Sequence, residues 1–226
     1  MARFSKFKDV QAVLCKSEQL LLTIEAEYQE ALNNKEVTNS LLVDVKNYLE
    51  NLRSALEYLW NKIPAVKGSY FPITNSKADL KKMIIGIDPK VSVVLEKWQP
   101  YNGQDWIKWF KLLNNKNKHL TLVPQIKKEG KEFTLKRGNA GMVFKDCAFM
   151  GDVVFGINGK AVHIDQQTQM LVDTPGVEIE RVIWNDFVFD CGQIIPKFPE
   201  NIKVLPFLLK CLENIQHLVL DIEKSL

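Results

Sequence analysis

Arg53, Glu57 and Tyr58 fall within about a turn and a half of helix in the stretch NLRSALEYLW (Asn51–Trp60). Lys116, Lys118 and His119 gather in LLNNKNKHL (Leu112–Leu120), where a helical pattern gives way to an alternating one. A guanidinium near a carboxylate and an imidazole can bind a phosphate or help to cleave one. Cleavage of RNA by attack of the 2′-hydroxyl needs a base for the nucleophile, an acid for the leaving oxygen and a fixed cation for the developing charge. Histidine suits the proton transfers because its unperturbed pKa lies near neutrality. Arginine suits the last role, since its planar fork donates two parallel hydrogen bonds to phosphate oxygens. Tyrosine, with a phenolic pKa of roughly 10, is a poor base near neutral pH. The catalytic candidates are therefore Arg53, Glu57 and His119, and the ligand-binding candidates Arg53, Tyr58, Lys116, Lys118 and His119.

Each candidate also has a structural account. Lys46, Glu50, Arg53 and Glu57 form a ladder of oppositely charged neighbours along one helix, worth only ~0.2–0.5 kcal/mol per exposed pair. Arg53 lies on the rim of the apolar stripe, where it can tie the helix to a neighbouring loop. Lys118 and His119 sit in a last helical turn, where cations complement the terminal carbonyls. Tyr58 points away from the stripe of its own helix, which leaves it exposed or covered by a partner subunit or the sheet. Trp98, Tyr101, Trp106 and Trp109, interleaved with Lys108, Lys111 and Lys116, can stack on single-stranded RNA, but such a cluster is more commonly core. His163 and His217 have no catalytic partner nearby in sequence. Phosphate loops of the Gly-x-x-x-x-Gly-Lys type, G-x-S-x-G elbows and H-E-x-x-H are absent.

These residues need elements to position them. The chain has 226 residues, 46% of them apolar and 25% charged, which suffices for a well-buried core and argues against wholesale disorder. Its net charge of +3 implies no particular partner. The charge is unevenly spread: nine Lys/Arg stand against Glu129 and Glu132 between Trp106 and Arg137, and six acids against Arg181 from Asp165 to Asp190. That pattern reads as solvated hairpin faces ahead of a phosphate-binding patch. Cys15, Cys147, Cys191 and Cys211 are scattered, with no C-x-x-C pair and no histidine at metal spacing, so neither a disulfide framework nor a metal site nor a cofactor is expected. The N-terminus runs directly into charged, helix-like sequence and no apolar run reaches the length of a membrane span, so the expected location is cytoplasmic, with reduced thiols.

Helical spacing predicts one helix from about Lys8 to Asn33 and a second from about Val37 to Ile63, closed by Pro64. A short connection makes an antiparallel hairpin the economical packing. Ser76 caps a short helix through Ile85, Asp88-Pro89 starts another through Trp98, and Gln104–Asn117 is a further helix. From His119 the period falls to two. A hairpin turning at Glu129-Gly130 is expected, then strands over Gly141–Ala148, Val153–Ile157, Lys160–Ile164, Met170–Asp173 and Val177–Asp190, with Asn158-Gly159 as a tight turn. Leu205–Leu226 returns to helix.

The motifs NLRSALEY (Asn51–Tyr58), FPI (Phe71–Ile73), QPY (Gln99–Tyr101) and LNNKNKH (Leu113–His119) resemble, in order and spacing, a bacterial group related to HEPN (higher eukaryote and prokaryote nucleotide-binding) helical domains. The likeness covers roughly residues 35–125. It implies a helical bundle, often dimeric, with a loose link to RNA and to defence or toxin–antitoxin systems. Two departures matter: Tyr58 stands where HEPN ribonucleases carry the histidine of Arg-x4-His, and Asn117 where the group's D-K-H triplet has aspartate.

The expectation is an α+β protein: an N-terminal HEPN-like helical bundle over 1–119, an antiparallel sheet of five to seven strands over 120–192, and a C-terminal helix over 193–226 packing back on the bundle. The expected function is a non-catalytic or degenerate module that binds RNA, a nucleotide or a protein partner, as a homodimer and in defence or stress. The alternatives are a metal-independent ribonuclease using Arg53, Glu57 and His119, and a purely structural interaction module.

Overall fold

The computed structural model describes residues 6–34, 36–66, 70–119, 121–145, 154–165, 170–171, 174–191, 195, 198–199 and 202–226. Residues 1–126 and 187–226 make one compact unit and 127–186 a second.

The first unit is helical. Helix α1 (Lys8–Asn34) and α2 (Asn39–Asn61) pack together along apolar stripes that include Val10, Leu14, Ile24 and Tyr28 on one side and Leu41, Val45, Leu52, Leu56 and Leu59 on the other, all buried. The Thr38 hydroxyl caps α2 by accepting the Leu41 N–H at 3.1 Å, which sets its start two residues later than the apolar pattern alone. Helix α3 (Lys77–Met83) starts at the Ser76 cap and α4 (Pro89–Lys97) at Asp88-Pro89, as the local chemistry predicts. After a short 3-10 turn at Pro100–Asn102, α5 (Asp105–His119) runs two residues past its expected end, so that Lys118 and His119 belong to its final turn.

Strand β1 (Gln125–Arg137) passes straight through Glu129 and Gly130, so the expected hairpin turn there is absent. The chain reverses instead at Gly138-Asn139, where Arg137 pairs with Ala140 and β2 (Ala140–Lys145) begins. Gly138 has φ of 58°, the left-handed region that a tight hairpin turn requires and that glycine enters freely. Strands β3 (Val154–Ile157) and β4 (Lys160–Asp165) are joined as expected by Asn158-Gly159, both at positive φ. Strand β5 (Met170–Leu171) pairs with β4, and β6 (Glu178–Phe189) carries the chain back to the helical unit. The strands fall into two three-stranded sheets, ordered β2-β1-β6 and β3-β4-β5, in place of one sheet. Expected strand residues 146–148, 153 and 172–173 lie outside the described residues. A small core of Leu135, Ile157 and Val162 lies in the second unit.

Helix α6 (Val204–Ser225) closes the first unit by packing against α1, α2, α4 and α5. Its stripe of Val204, Leu208, Leu212, Ile215, Val219 and Ile222 is buried. Two buried tyrosines add directed bonds to this apolar packing: Tyr48 donates to the Leu208 carbonyl at 3.0 Å, and the Tyr28 hydroxyl accepts the Phe187 N–H at 2.9 Å. Burial pushes the Tyr48 phenol far above its ordinary pKa, so it stays a donor at any working pH. No described helix is long and apolar enough to cross a membrane.

Candidate functional site

Arg53, Glu57, Gln99 and Lys111 converge on four residues, Phe71 to Thr74. Arg53 reaches from α2, its Nη2 donating to the Phe71 carbonyl at 3.2 Å. One turn further along α2, Glu57 Oε2 accepts the Phe71 N–H at 2.6 Å while its Oε1 lies 2.5 Å from Arg53 Nε. Gln99, fully buried, donates to the carbonyls of Pro72 and Leu95 at 3.0 and 3.1 Å and accepts the Thr74 N–H at 2.9 Å. Lys111, on α5, donates to the Ile73 carbonyl at 2.9 Å. A loop with no ladder of its own thus has its backbone groups satisfied by side chains, as buried polar groups require.

Between that loop, α2 and α5 lies a cavity of about 660 Å³. Arg53, Glu57, Lys118 and His119 all line it, so two segments some sixty positions apart do share one hollow. Lys111, Asn114 and Glu50 join them. Of the other sequence candidates, Lys116 is not in the lining, and Tyr58 stands 46% exposed outside it. Asn117 is buried and its Oδ1 accepts the Val123 N–H at 2.7 Å, so it fixes the exit from α5 and does not reach the cavity.

Electrostatically the cavity is cationic. Lys111, Lys118 and Arg53 stand against Glu50 and Glu57; Glu57 is matched by Arg53 and Glu50 by Lys46, 2.9 Å away. Burial depresses the Arg53 pKa and outweighs the neighbouring Glu57 carboxylate; burial likewise raises the Glu57 carboxyl, against the pull of Arg53, the Phe71 N–H and Lys118. The Lys111 ammonium is lowered by burial and then by Arg53. Burial, which opposes the charged form, is the leading cause of all three shifts. Among the described residues Lys118 makes no ion pair, and Arg53 Nη1 and Asn114 Oδ1 have no hydrogen-bond partner.

No family model, curated protein or solved structure matches this chain. The chemistry of the cavity therefore rests on its own geometry. Sequence reasoning missed Gln99, Lys111 and Asn114 as parts of this region. The signal was present for two of them: Lys111, Asn114 and Lys118 are spaced three and four apart, which puts them on one face of α5. The aromatic segment divides. Trp98 and Trp106 are core, 6% and 5% exposed, whereas Trp109 is half-buried and borders a different cavity. His163 lies exposed on β4 and His217 exposed on α6, and neither lines this cavity. Among the described residues no group of His, Cys, Asp or Glu is arranged to hold a metal.

Proposed function

We propose that the cavity between α2 and α5 binds a phosphate-bearing ligand, a nucleotide or a short stretch of RNA, without cleaving it. What carries this reading is that Lys111, Lys118, His119 and Arg53 line one hollow whose carboxylates already have cationic partners. The excess positive charge needs an anion, and a volume of about 660 Å³ suits something larger than free phosphate. Asn114 Oδ1, an acceptor without a donor among the described residues, favours a ligand that also brings a hydroxyl or amino group, as a ribose or a base does. The resemblance to HEPN-related proteins supports the same choice.

Fluorescence anisotropy with labelled single-stranded RNA and with a labelled nucleoside triphosphate tests it. Lys118→Glu, at an exposed position, is expected to weaken binding about tenfold, or ~1.4 kcal/mol, with wild-type affinity falling as salt rises. Equal binding by wild type and Lys118→Glu, or none to either probe at low salt, removes the proposal.

A second reading, metal-independent RNA cleavage by Arg53, Glu57 and His119, is favoured by His119 lining the same hollow. Against it, both oxygens of Glu57 are engaged, by Arg53 and by the Phe71 N–H, so the carboxylate must leave the loop before it can act as a base. Incubation with labelled RNA in EDTA separates the two. Cleavage that disappears in His119→Ala replaces the binding module with a nuclease.

A further inference from the structure

The residues lining the cavity between α2 and α5 are graded in exposure. Its inner polar groups are covered: Asn114 is 3% exposed, the Arg53 side chain 18%, and Lys111 is half-buried. Its rim is open: Tyr70 stands 70% exposed and Met83 43%, with Lys118 and His119 also exposed. We propose, resting on the phosphate reading above, that the cavity takes a terminal phosphomonoester of a nucleotide, phosphate inward and base against Tyr70.

The covered end selects the phosphate. The Lys111 ammonium has three protons and one acceptor among the described residues, the Ile73 carbonyl. Arg53 stands close enough to add to the lowering of its pKa, after burial, and the Glu57 carboxylate is committed to Arg53 and the Phe71 N–H. Two cations in the covered part of one hollow repel, and an anion entering there relieves the repulsion. A phosphomonoester brings about −1.5 to −2 charges and three acceptor oxygens at neutral pH, where an internal diester brings a single charge. Access makes the same choice. An internal phosphate carries a nucleotide on either side, whereas a terminal one can lead into a covered hollow with its nucleotide behind it. The volume of about 660 Å³, within the range of small-molecule pockets, accommodates one nucleotide. The open end selects the base. Tyr70 packs on no other ring among the described residues, and its hydroxyl lies near enough to Arg53 to bear on that pKa. The next residue, Phe71, is clamped at its N–H and its carbonyl by Glu57 and Arg53, so the ring stands on an anchored backbone. Bases stack on such an exposed ring with little regard to identity, and Met83 adds apolar surface. Inorganic phosphates and sugar phosphates have nothing to set against these two side chains.

The test is calorimetric titration of the full chain, at fixed ionic strength, with adenosine 5′-monophosphate, adenosine and ribose 5-phosphate. The nucleotide is expected to bind saturably, and adenosine and ribose 5-phosphate each about tenfold more weakly. The preference for the nucleotide over ribose 5-phosphate should fall to about one in Tyr70→Ala and persist in Tyr70→Phe, which keeps the ring; the position is exposed, so neither change disturbs the core. Fluorescence anisotropy with labelled RNA decamers carrying a phosphate at the 5′ end, at the 3′ end or at neither identifies the source. A phosphorylated decamer that binds more tightly than the mononucleotide assigns the site to RNA ends, and one that binds no more tightly assigns it to the free nucleotide. An unphosphorylated decamer bound as tightly as both phosphorylated ones, adenosine bound as tightly as its monophosphate, or a base preference unmoved by Tyr70→Ala overturns the proposal. The first of these, with binding still weakened by Lys118→Glu, leaves the phosphate reading standing, whereas absence of binding to every one of these ligands removes both.

Discussion

Arg53 and Glu57 form an ion pair, and each makes one hydrogen bond to the backbone of Phe71. Partial burial opposes the charge on both partners, and their mutual attraction does not fully offset it. The sign for Glu57 follows. A carboxyl whose pKa is raised in the folded state holds its proton more tightly there, so its contribution to stability is complete below the ordinary value of 4.5 and is lost as pH rises through the raised one. Arg53 works against that shift. In Arg53→Met the Glu57 carboxyl should therefore titrate higher than in wild type, and the loss of stability should extend to higher pH. Carbon-detected NMR titration of the Glu57 carboxyl checks this, and an unchanged or lower midpoint contradicts it. At this scale the sequence was partly legible. A rim arginine tying its helix to a loop is what Arg53 does, and the four-residue spacing to Glu57 identifies the ion pair. That Glu57 also holds the Phe71 amide was hidden, because nothing in residue type or period reveals which loop passes a given helix face.

The elements were readable wherever a local chemical event marks a boundary. The Ser76 hydroxyl, the Asp88-Pro89 pair and the Asn158-Gly159 turn each act within a few residues, and each appears where expected. Glu129-Gly130 misled because a lone glycine is tolerated inside a strand, whereas Gly138-Asn139 carries the glycine-first signal of a two-residue hairpin turn. The loop at Phe71–Thr74 is held by elements distant in sequence, and Gln99 is its keystone, serving Pro72, Thr74 and Leu95 from a fully buried position. Gln99→Leu keeps much of the volume but strands the Thr74 N–H and the Pro72 carbonyl. Each orphaned buried group costs about 1–3 kcal/mol, so a loss of about 2–4 kcal/mol is expected in urea unfolding. Since these residues wall the cavity, ligand affinity should fall with it. A loss under about 1 kcal/mol would mean that water replaces the glutamine and that the loop does not depend on it.

At the scale of the molecule, the boundary between units does not coincide with the change from helix to strand. Residues 121–126 and 187–191, though extended or in strands, are built into the helical unit. Phe187 packs edge-on against Tyr28 with ring centroids 5.3 Å apart, the Asp190 N–H donates to the Pro124 carbonyl at 2.8 Å, and Phe189 meets Phe207 at 5.9 Å. A period-two pattern announces a strand but says nothing about which core its residues enter, so only tertiary packing could locate this boundary. The consequence is testable. Strands β1 and β6 are neighbours in one sheet, and the Asp190–Pro124 bond holds the two segments side by side at the boundary. Residues 127–186 can then be replaced by a short Gly/Ser linker without stretching residues 126 and 187. The shortened chain keeps the buried stripes of α1, α2 and α6, both tyrosine hydroxyl bonds, the clamp on Phe71 and all residues lining the phosphate cavity. It should show a cooperative thermal transition, a helical circular-dichroism spectrum and RNA or nucleotide affinity within about threefold of the full chain, a difference of ~0.65 kcal/mol. A cooperative fold with lost affinity would place part of the ligand's binding surface on the excised strands, and a non-cooperative melt would show that the helical core needs the second unit to form.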